Sequence, residues 1–384
     1  MVSWTKEQQE AIEKSGSDIL VAAAAGSGKT AVLVERIIQK LINKDNPLNI
    51  DEILVATFTN AAAEEMRSRI GKALEDAIAK DPTSNHLKKQ LSLLQKASIS
   101  TLHSFCTSVV RQYAYLLDLD PAFRIADTME LDLIKQEVME EMFEDAYGQD
   151  GEEQELFFTV VDMFSNDRSD VELEELILRM YSFADQHPWP EEWLKEVAEI
   201  YNVPDDCKEE DLPWLTMLKE EVMEQFTAWK KDIERAIVIA SESDGPYHYL
   251  EALEADLQII NNAMELKNWD DLQQYVGSLS FKRLSAKRVD CSDEKKEKVK
   301  SLRKRFRDSL DKLKKELFSR NLTAHLEDMR ILYPSIKKIT ELVTEFKKRF
   351  TAVKRERAIL DFSDLEHFTL EILIDPTSTE DNII

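Results

Sequence analysis

Cysteine is scarce in this chain: Cys106, Cys207 and Cys291 are the only three in 384 residues, and no two form a Cys-x-x-Cys pair. That excludes a disulfide framework, offers no zinc spacing and fits a reducing interior. Long apolar runs are missing too. None approaches the roughly 20 residues needed to cross a bilayer, and the first residues, Met1 to Glu7, are not a charged-then-apolar leader. The expectation is a soluble cytoplasmic chain with no membrane partner. The six histidines contain no His-Glu-x-x-His pair, so no metal held by the protein alone is assigned. Net positive charge is absent as well, at −25, which argues against a simple basic nucleic-acid module. The mean hides an asymmetry, however. Residues 281–357 hold 25 Lys and Arg against 12 Asp and Glu, a net of +13, which leaves −38 for the rest. A local field of one sign steers a polyanion even when the whole molecule is acidic.

Glycine numbers only eight, and two of these, Gly26 and Gly28, sit in the most informative stretch. Ile19 to Ala22 is an apolar run, followed by Ala23-Ala24-Ala25-Gly26-Ser27-Gly28-Lys29-Thr30 and then by Ala31, Val32, Leu33, Ile37, Ile38 and Leu41 on one helical face. This is the build of a P-loop: a buried strand, small residues whose N–H groups close around phosphates, and a helix whose N-terminus faces the anion. In such a loop Lys29 neutralises the β- and γ-phosphates and the Thr30 hydroxyl holds Mg²⁺. Ala23 stands where the usual pattern has Gly, a mild departure. The alternative is a glycine turn that binds nothing.

Thr5-Lys6-Glu7-Gln8 has the form of a capping box opening a short helix. Ile53 to Phe58 reads as a second strand followed by a helix from Ala61 to about Ala79, with Lys44 to Pro47 as the turn before it. Ile99 to Leu102 reads as a third strand, leading into a helix with Phe105, Val109, Val110 and Tyr113. Alternating strand and helix predicts a parallel sheet with helices on its faces, an α/β fold. Beyond Asp120-Pro121, and as far as Arg357, only helices are expected. One is opened by Asp127 and carries Leu131, Ile134, Val138 and Met142; breaks fall at 148–151, 188–190, 203–204 and 243–246. In the basic stretch Val299, Leu302, Phe306, Leu310, Leu313 and Leu317 make an amphipathic helix with cations outside. That outer face serves either solvation or phosphate contact. Trp189, Trp193, Trp214, Trp229 and Trp269 read as core anchors rather than base-stacking platforms.

Two further motifs end strands: Thr57-Phe58-Thr59-Asn60 running into Ala61-Ala62-Ala63-Glu64-Glu65-Met66, and Thr101-Leu102-His103-Ser104-Phe105. Carboxyl ends of parallel strands are where ligands meet such sheets, and hydroxyl, amide, imidazole and aromatic groups there suit a nucleic-acid strand. With Gln8 and the loop, these motifs resemble, in order, those of UvrD/Rep-type superfamily 1 DNA helicases. The four alanines, the long helical insertion and Ile359 to Glu366 are most similar to the RecB-like helicase–nuclease subunits of bacterial AddAB enzymes.

The resemblance implies a RecA-like P-loop sheet, incomplete in this chain, with a large all-helical inserted domain. Residues 1–118 would form the first part of motor domain 1A, 119–356 the helical accessory domain 1B, and 357–384 a return into 1A. It implies Gln8 at the adenine edge, residues 23–29 around the phosphates, and Thr30 on Mg²⁺ beside ATP. It implies Phe58, Thr59, Asn60 and His103 on DNA. Helix capping is the alternative for Thr59 and Asn60, and a purely structural histidine for His103. Ala31 replaces an Arg that several relatives carry near the nucleotide. The family's next motif, an apolar strand ending in Asp-Glu that orders the metal and activates water, is not found. Asp361 and Asp364 match the segment upstream of it and are not read as that acid pair. The expectation is therefore an amino-terminal piece, with Thr379 to Ile384 a ragged end, that binds nucleotide but hydrolyses it near background. The intact protein would be an ATP-dependent helicase with exonuclease activity, paired with an AddB-type partner and acting on single-stranded and duplex DNA in recombinational repair of breaks. Two other classes remain, a P-loop phosphotransferase and a non-catalytic docking module.

Overall fold

The computed structural model describes residues 4–24, 26–43, 48–166 and 169–374. It divides into two units, residues 1–142 with 346–384 and residues 143–345. The turn expected at Lys44 to Pro47 and the segment 375–384 lie outside the described residues.

In the first unit, α1 (Lys6–Glu13) opens on the expected capping box. The Thr5 hydroxyl accepts from the Gln8 N–H (3.3 Å), and the Gln8 side chain accepts from the Thr5 N–H (2.9 Å). Next comes α2 (Lys29–Ile42), which buries Val32, Ile37, Ile38 and Leu41 along one stripe. Strand β1 (Leu54–Thr57) is followed by α3 (Asn60–Lys80), then by α4 (Asn85–Leu93), which the sequence reading did not foresee, and by β2 (Ser98–Thr101). The two strands pair in parallel, with Leu54 opposite Ser98 and Thr57 opposite Thr101. A parallel pair needs a crossover of a dozen residues or more, and the helices between the strands supply it. Leu41, Ile50, Val55, Ile70, Leu74 and Ile99 fill the core beneath them.

A second core of this unit lies where α5 (Leu102–Tyr113) meets the chain's later residues. Strand β3 (Arg124–Ile125) pairs in parallel with β4 (Ile359–Leu360), and α15 (Phe362–Leu373) packs on α5. Cys106, Val110, Phe123, Leu360, Leu365 and Phe368 pack together there. The expectation that no strand occurs between 120 and 357 is thus corrected by β3. Two residues carry too little periodic signal to read, and their partner lies more than 230 residues away.

The expected first strand, Ile19 to Ala22, is also corrected. These residues form no strand, Leu20 is 97% exposed and Val21 50%. A strand exists only against a neighbour that takes its ladder hydrogen bonds. Among the described residues β1 and β2 pair with each other, and no strand lies alongside 19–22.

Helix α6 (Thr128–Tyr147) carries the chain from the first unit into the second, and α14 (Leu322–Glu356) brings it back. Between them lie α7 (Glu152–Phe164), α8 (Val171–Ala184), α9 (Pro190–Glu199), α10 (Pro213–Ala240), α11 (Leu250–Glu265), α12 (Trp269–Ser278) and α13 (Asp293–Glu316). Among the described residues the second unit is helical apart from one isolated bridge between Asn166 and Ser169. Its core joins Phe226, Trp229, Ile233, Leu272, Phe306 and Leu310 from α10, α12 and α13. Trp229 and Trp269 are buried as expected, whereas Trp189 is 46% exposed. The apolar stripe of α13 faces inward, and Arg303 goes with it. Only 3% exposed, Arg303 pairs with the wholly buried Asp256 of α11 (Nη2 to Oδ1, 3.2 Å).

Candidate functional site

The glycine loop ends at the N-terminus of α2, and its backbone explains its composition. Gly26 and Gly28 have φ of +78° and +81°, the left-handed region that L side chains rarely adopt. Gly28 is the N-cap of α2 and contributes no side-chain cap. The first N–H groups of a helix have no intrahelical partner, so they face the loop as ready donors to an anion. Lys29, the first residue of α2, folds back and donates from Nζ to the Ala23 carbonyl (2.8 Å), and Ser27 N–H donates to Ala24 O (3.3 Å). Thr30 follows Lys29 in the first turn and is exposed. Ala25 lies outside the described residues.

Gln8 closes the other side. Its Oε1 is taken once by the Thr5 N–H, and its Nε2 donates to Ser27 O at 3.0 Å. The capping box therefore fixes which way the carboxamide points. One lone pair on Oε1 and one hydrogen on Nε2 remain, a donor and an acceptor side by side. A cavity of about 630 Å³ runs between α1, residues 21–23 and α2, with Gln8, Val21, Ser27, Lys29 and Leu33 in its wall. Arg36, which the sequence reading passed over, also lines it. Its Nη1 lies 2.8, 3.2 and 2.7 Å from the carbonyls of Ala11, Ile12 and Lys14 at the end of α1. The signal was its spacing: Arg36 stands seven residues, two turns, after Lys29 on the same face of α2.

These residues fit a nucleoside triphosphate: backbone donors and an ammonium for phosphates, and a cavity continuing to a polar edge that suits a base. For a metal, the Thr30 hydroxyl in the first turn of α2 is the oxygen that follows directly on the loop. Among the described residues no group of three His, Cys, Asp or Glu is placed to hold an ion, so Mg²⁺ would come with the phosphates.

The second set of candidates stands at one sheet edge, because the register aligns Thr57 with Thr101. Thr59 caps α3, accepting from the Ala62 N–H (3.1 Å), and its carbonyl accepts from the Thr57 hydroxyl (2.9 Å). Asn60 is the first residue of α3, beyond the cap, and is exposed. Phe58 projects entirely into solvent, at 103% exposure. On the neighbouring strand, Thr101 caps α5. His103 lies with Nε2 3.2 Å from Glu366 Oε1 and its ring centroid 4.7 Å from that of Phe362, so α15 holds this imidazole. Neither partner was foreseen. Asp361 and Asp364 form a capping box at the start of α15 and share the buried ammonium of Lys354, 2.7 Å from each.

Comparison with known proteins adds to this geometry. A family model described as the UvrD/REP helicase N-terminal domain matches residues 4–383. The chain is 56% identical over 385 positions to the ATP-dependent helicase/nuclease subunit of the A type from Oceanobacillus iheyensis, covering 100% of this chain and 31% of that protein. To the proteins of that name from Geobacillus thermodenitrificans and Bacillus cytotoxicus it is 47% and 46% identical, covering 98% and 96% of this chain and 31% and 30% of theirs. The chain spans about 31% of the length of the relatives it matches. No helix among the described residues is long and apolar enough to cross a membrane.

Proposed function

The chain belongs to the UvrD/REP helicase family, and from that premise we propose that it is the nucleotide-binding and DNA-engaging part of an ATP-dependent helicase/nuclease subunit of the A type. The observation that carries the reading is the loop itself: two left-handed glycines, an uncapped helix N-terminus and Lys29, joined by one cavity to Gln8. Gly26, Ser27, Gly28 and Lys29, with Ala23 to Ala25 leading in, hold the phosphates of ATP, and Thr30 contributes one ligand to the nucleotide's Mg²⁺. The free donor and acceptor of Gln8 match the N6 and N7 positions of adenine, the pattern glutamine reads on that base.

At the sheet edge, Phe58 stacks on a base of single-stranded DNA while Thr59 and Asn60 approach its backbone. His103 meets the strand from its seat beside Glu366. In this proposal 1–118 and 357–384 belong to the first motor domain and 119–356 to a helical accessory domain, and the basic stretch 281–357 faces duplex DNA or a partner protein. The intact enzyme would unwind and trim broken DNA for recombination in the cytoplasm, beside an AddB-type partner. No apolar run in residues 1–384 ends in Asp-Glu, so these residues alone would turn over ATP slowly.

The test pairs two titrations. Lys29→Ala is expected to weaken binding of a fluorescent ATP analogue with Mg²⁺ by at least about tenfold, the loss of one charge-assisted phosphate contact. Phe58→Ala is expected to weaken labelled single-stranded DNA about five- to hundredfold, one stacked base, with thermal stability unchanged. Affinities untouched by both substitutions would reject the reading.

A further inference from the structure

We propose that Arg36 is a positioning residue for base recognition: by holding the end of α1 it sets Gln8 against the phosphate loop. The inference rests on the nucleotide reading of that loop and goes beyond it. Helix α1 has eight residues, and helices shorter than about 12–15 residues are marginal in water without tertiary anchors. Its anchors are few. Ile12 is buried, at 3% exposure, and the Arg36 guanidinium gathers the carbonyls of Ala11, Ile12 and Lys14. A cation at those carbonyls also opposes the negative end of the helix dipole.

The lever is short. Ala11 and Ile12 stand three and four residues after Gln8, so the carboxamide and the clamped end share one face of α1. At the far end Gln8 Nε2 reaches Ser27 O at 3.0 Å. Lys29 and Arg36 are on one face of α2, about 10 Å apart along its axis at 1.5 Å per residue. One face of α2 thus carries the phosphate cation at one end and the clamp on the base-reading helix at the other. Loosening the clamp lets Gln8 drift while the loop, built from residues 26–30 of the chain itself, stays as it is. Phosphate affinity and base selectivity should therefore separate.

The experiment measures Kd of the chain for MgATP, MgGTP and magnesium tripolyphosphate, in wild type, Arg36→Met, Arg36→Lys, Gln8→Ala and the double variant Gln8→Ala/Arg36→Met. The expected result is that Arg36→Met lowers the preference for ATP over GTP about tenfold, the worth of one or two hydrogen bonds, and leaves tripolyphosphate affinity unchanged. Arg36→Lys, which keeps a donor and the charge, recovers part of the preference. In the Gln8→Ala background Arg36→Met has no further effect, because Arg36 acts through Gln8. Equal loss of ATP and tripolyphosphate affinity would mean a general structural role and overturn the inference. Additive effects of the two substitutions would mean that Arg36 meets the base directly, and overturn it too. Wild type that binds none of the three ligands would overturn the nucleotide reading beneath it, a result distinct from either.

Discussion

Lys354 offers the sharpest test of how the first unit is held together. It lies in the last turn of α14, is 1% exposed, and places Nζ 2.7 Å from both Asp361 Oδ2 and Asp364 Oδ1 and 4.3 Å from the centre of the Phe350 ring. The carboxylates are bound to each other's backbone, Asp361 N–H to Asp364 Oδ2 and Asp364 N–H to Asp361 Oδ1, both at 2.9 Å. One ammonium thus faces two acids, and burial pushes the Asp364 carboxyl above its usual range despite the pull of Lys354. Lys354→Met keeps the stem and removes the charge. Breaking a buried pair from one side costs about 3–5 kcal/mol, and in a unit of this size each kcal/mol lowers Tm by about 2–4 °C. The pH dependence has a definite sign. The folded state holds the Asp364 proton more tightly than the unfolded chain, so this group's contribution to stability falls as pH rises from the ordinary aspartate range through its raised value. Without Lys354 that value rises further and the window widens. The variant should be hurt most near neutral pH and recover on acidification, and a second substitution, Asp364→Asn, should restore much of the loss. The assay is hydrogen exchange of the amides of α15 against pH, because five of the six tryptophans lie in the other unit and their fluorescence reports that unit instead. Equal destabilisation at all pH values, or none, would refute the reasoning.

Two further expectations concern backbone strain and the second unit. Ala358, between α14 and β4, has φ +50°; a left-handed alanine costs about 1–2 kcal/mol, part of which glycine returns as unfolded-chain entropy, so Ala358→Gly should raise stability by about 0.5–1 kcal/mol in urea unfolding. Arg303→Met strands the wholly buried Asp256, whose carboxyl burial already pushes upward, and should cost the second unit about 3–5 kcal/mol by tryptophan fluorescence, with Asp256→Asn in the same chain restoring most of it.

What was legible in the sequence is what a few consecutive residues decide. The capping box of Thr5 and Gln8 and the apolar stripe of α13 are local choices, and both stand where the sequence puts them; the left-handed φ that the structure gives Gly26 and Gly28 is likewise a local property of glycine. What was not legible is relational. Ile19 to Ala22 has the composition of a buried strand, yet composition states a preference and a ladder needs a neighbour. The pairing of Arg124-Ile125 with Ile359-Leu360 and the meeting of Lys354 with two aspartates join segments whose contact no local pattern announces. Arg303 was hidden for a different reason: in a helix crowded with cations the eye assigns every charge to the outer face, and only the Asp256 opposite reveals that one points in.

The same division explains why the candidate site was readable beyond the rest of the fold. The proposed phosphate contact works through backbone, and backbone conformation is set by the residues in sequence, so glycine at 26 and 28 declares the geometry that contact would use. The proposed base reading adds one side chain, Gln8, which already has a structural role, because the capping box that starts α1 also orients its carboxamide toward Ser27. A residue that folds its helix and faces the cavity is visible to a sequence reader through the first of these roles alone. For Arg36 the sequence offers its spacing from Lys29 but not its role, since its carbonyl partners lie 22 to 25 residues earlier. The parts of a site that touch a ligand through local backbone can be found before the fold is known; the parts that aim those groups emerge only with it.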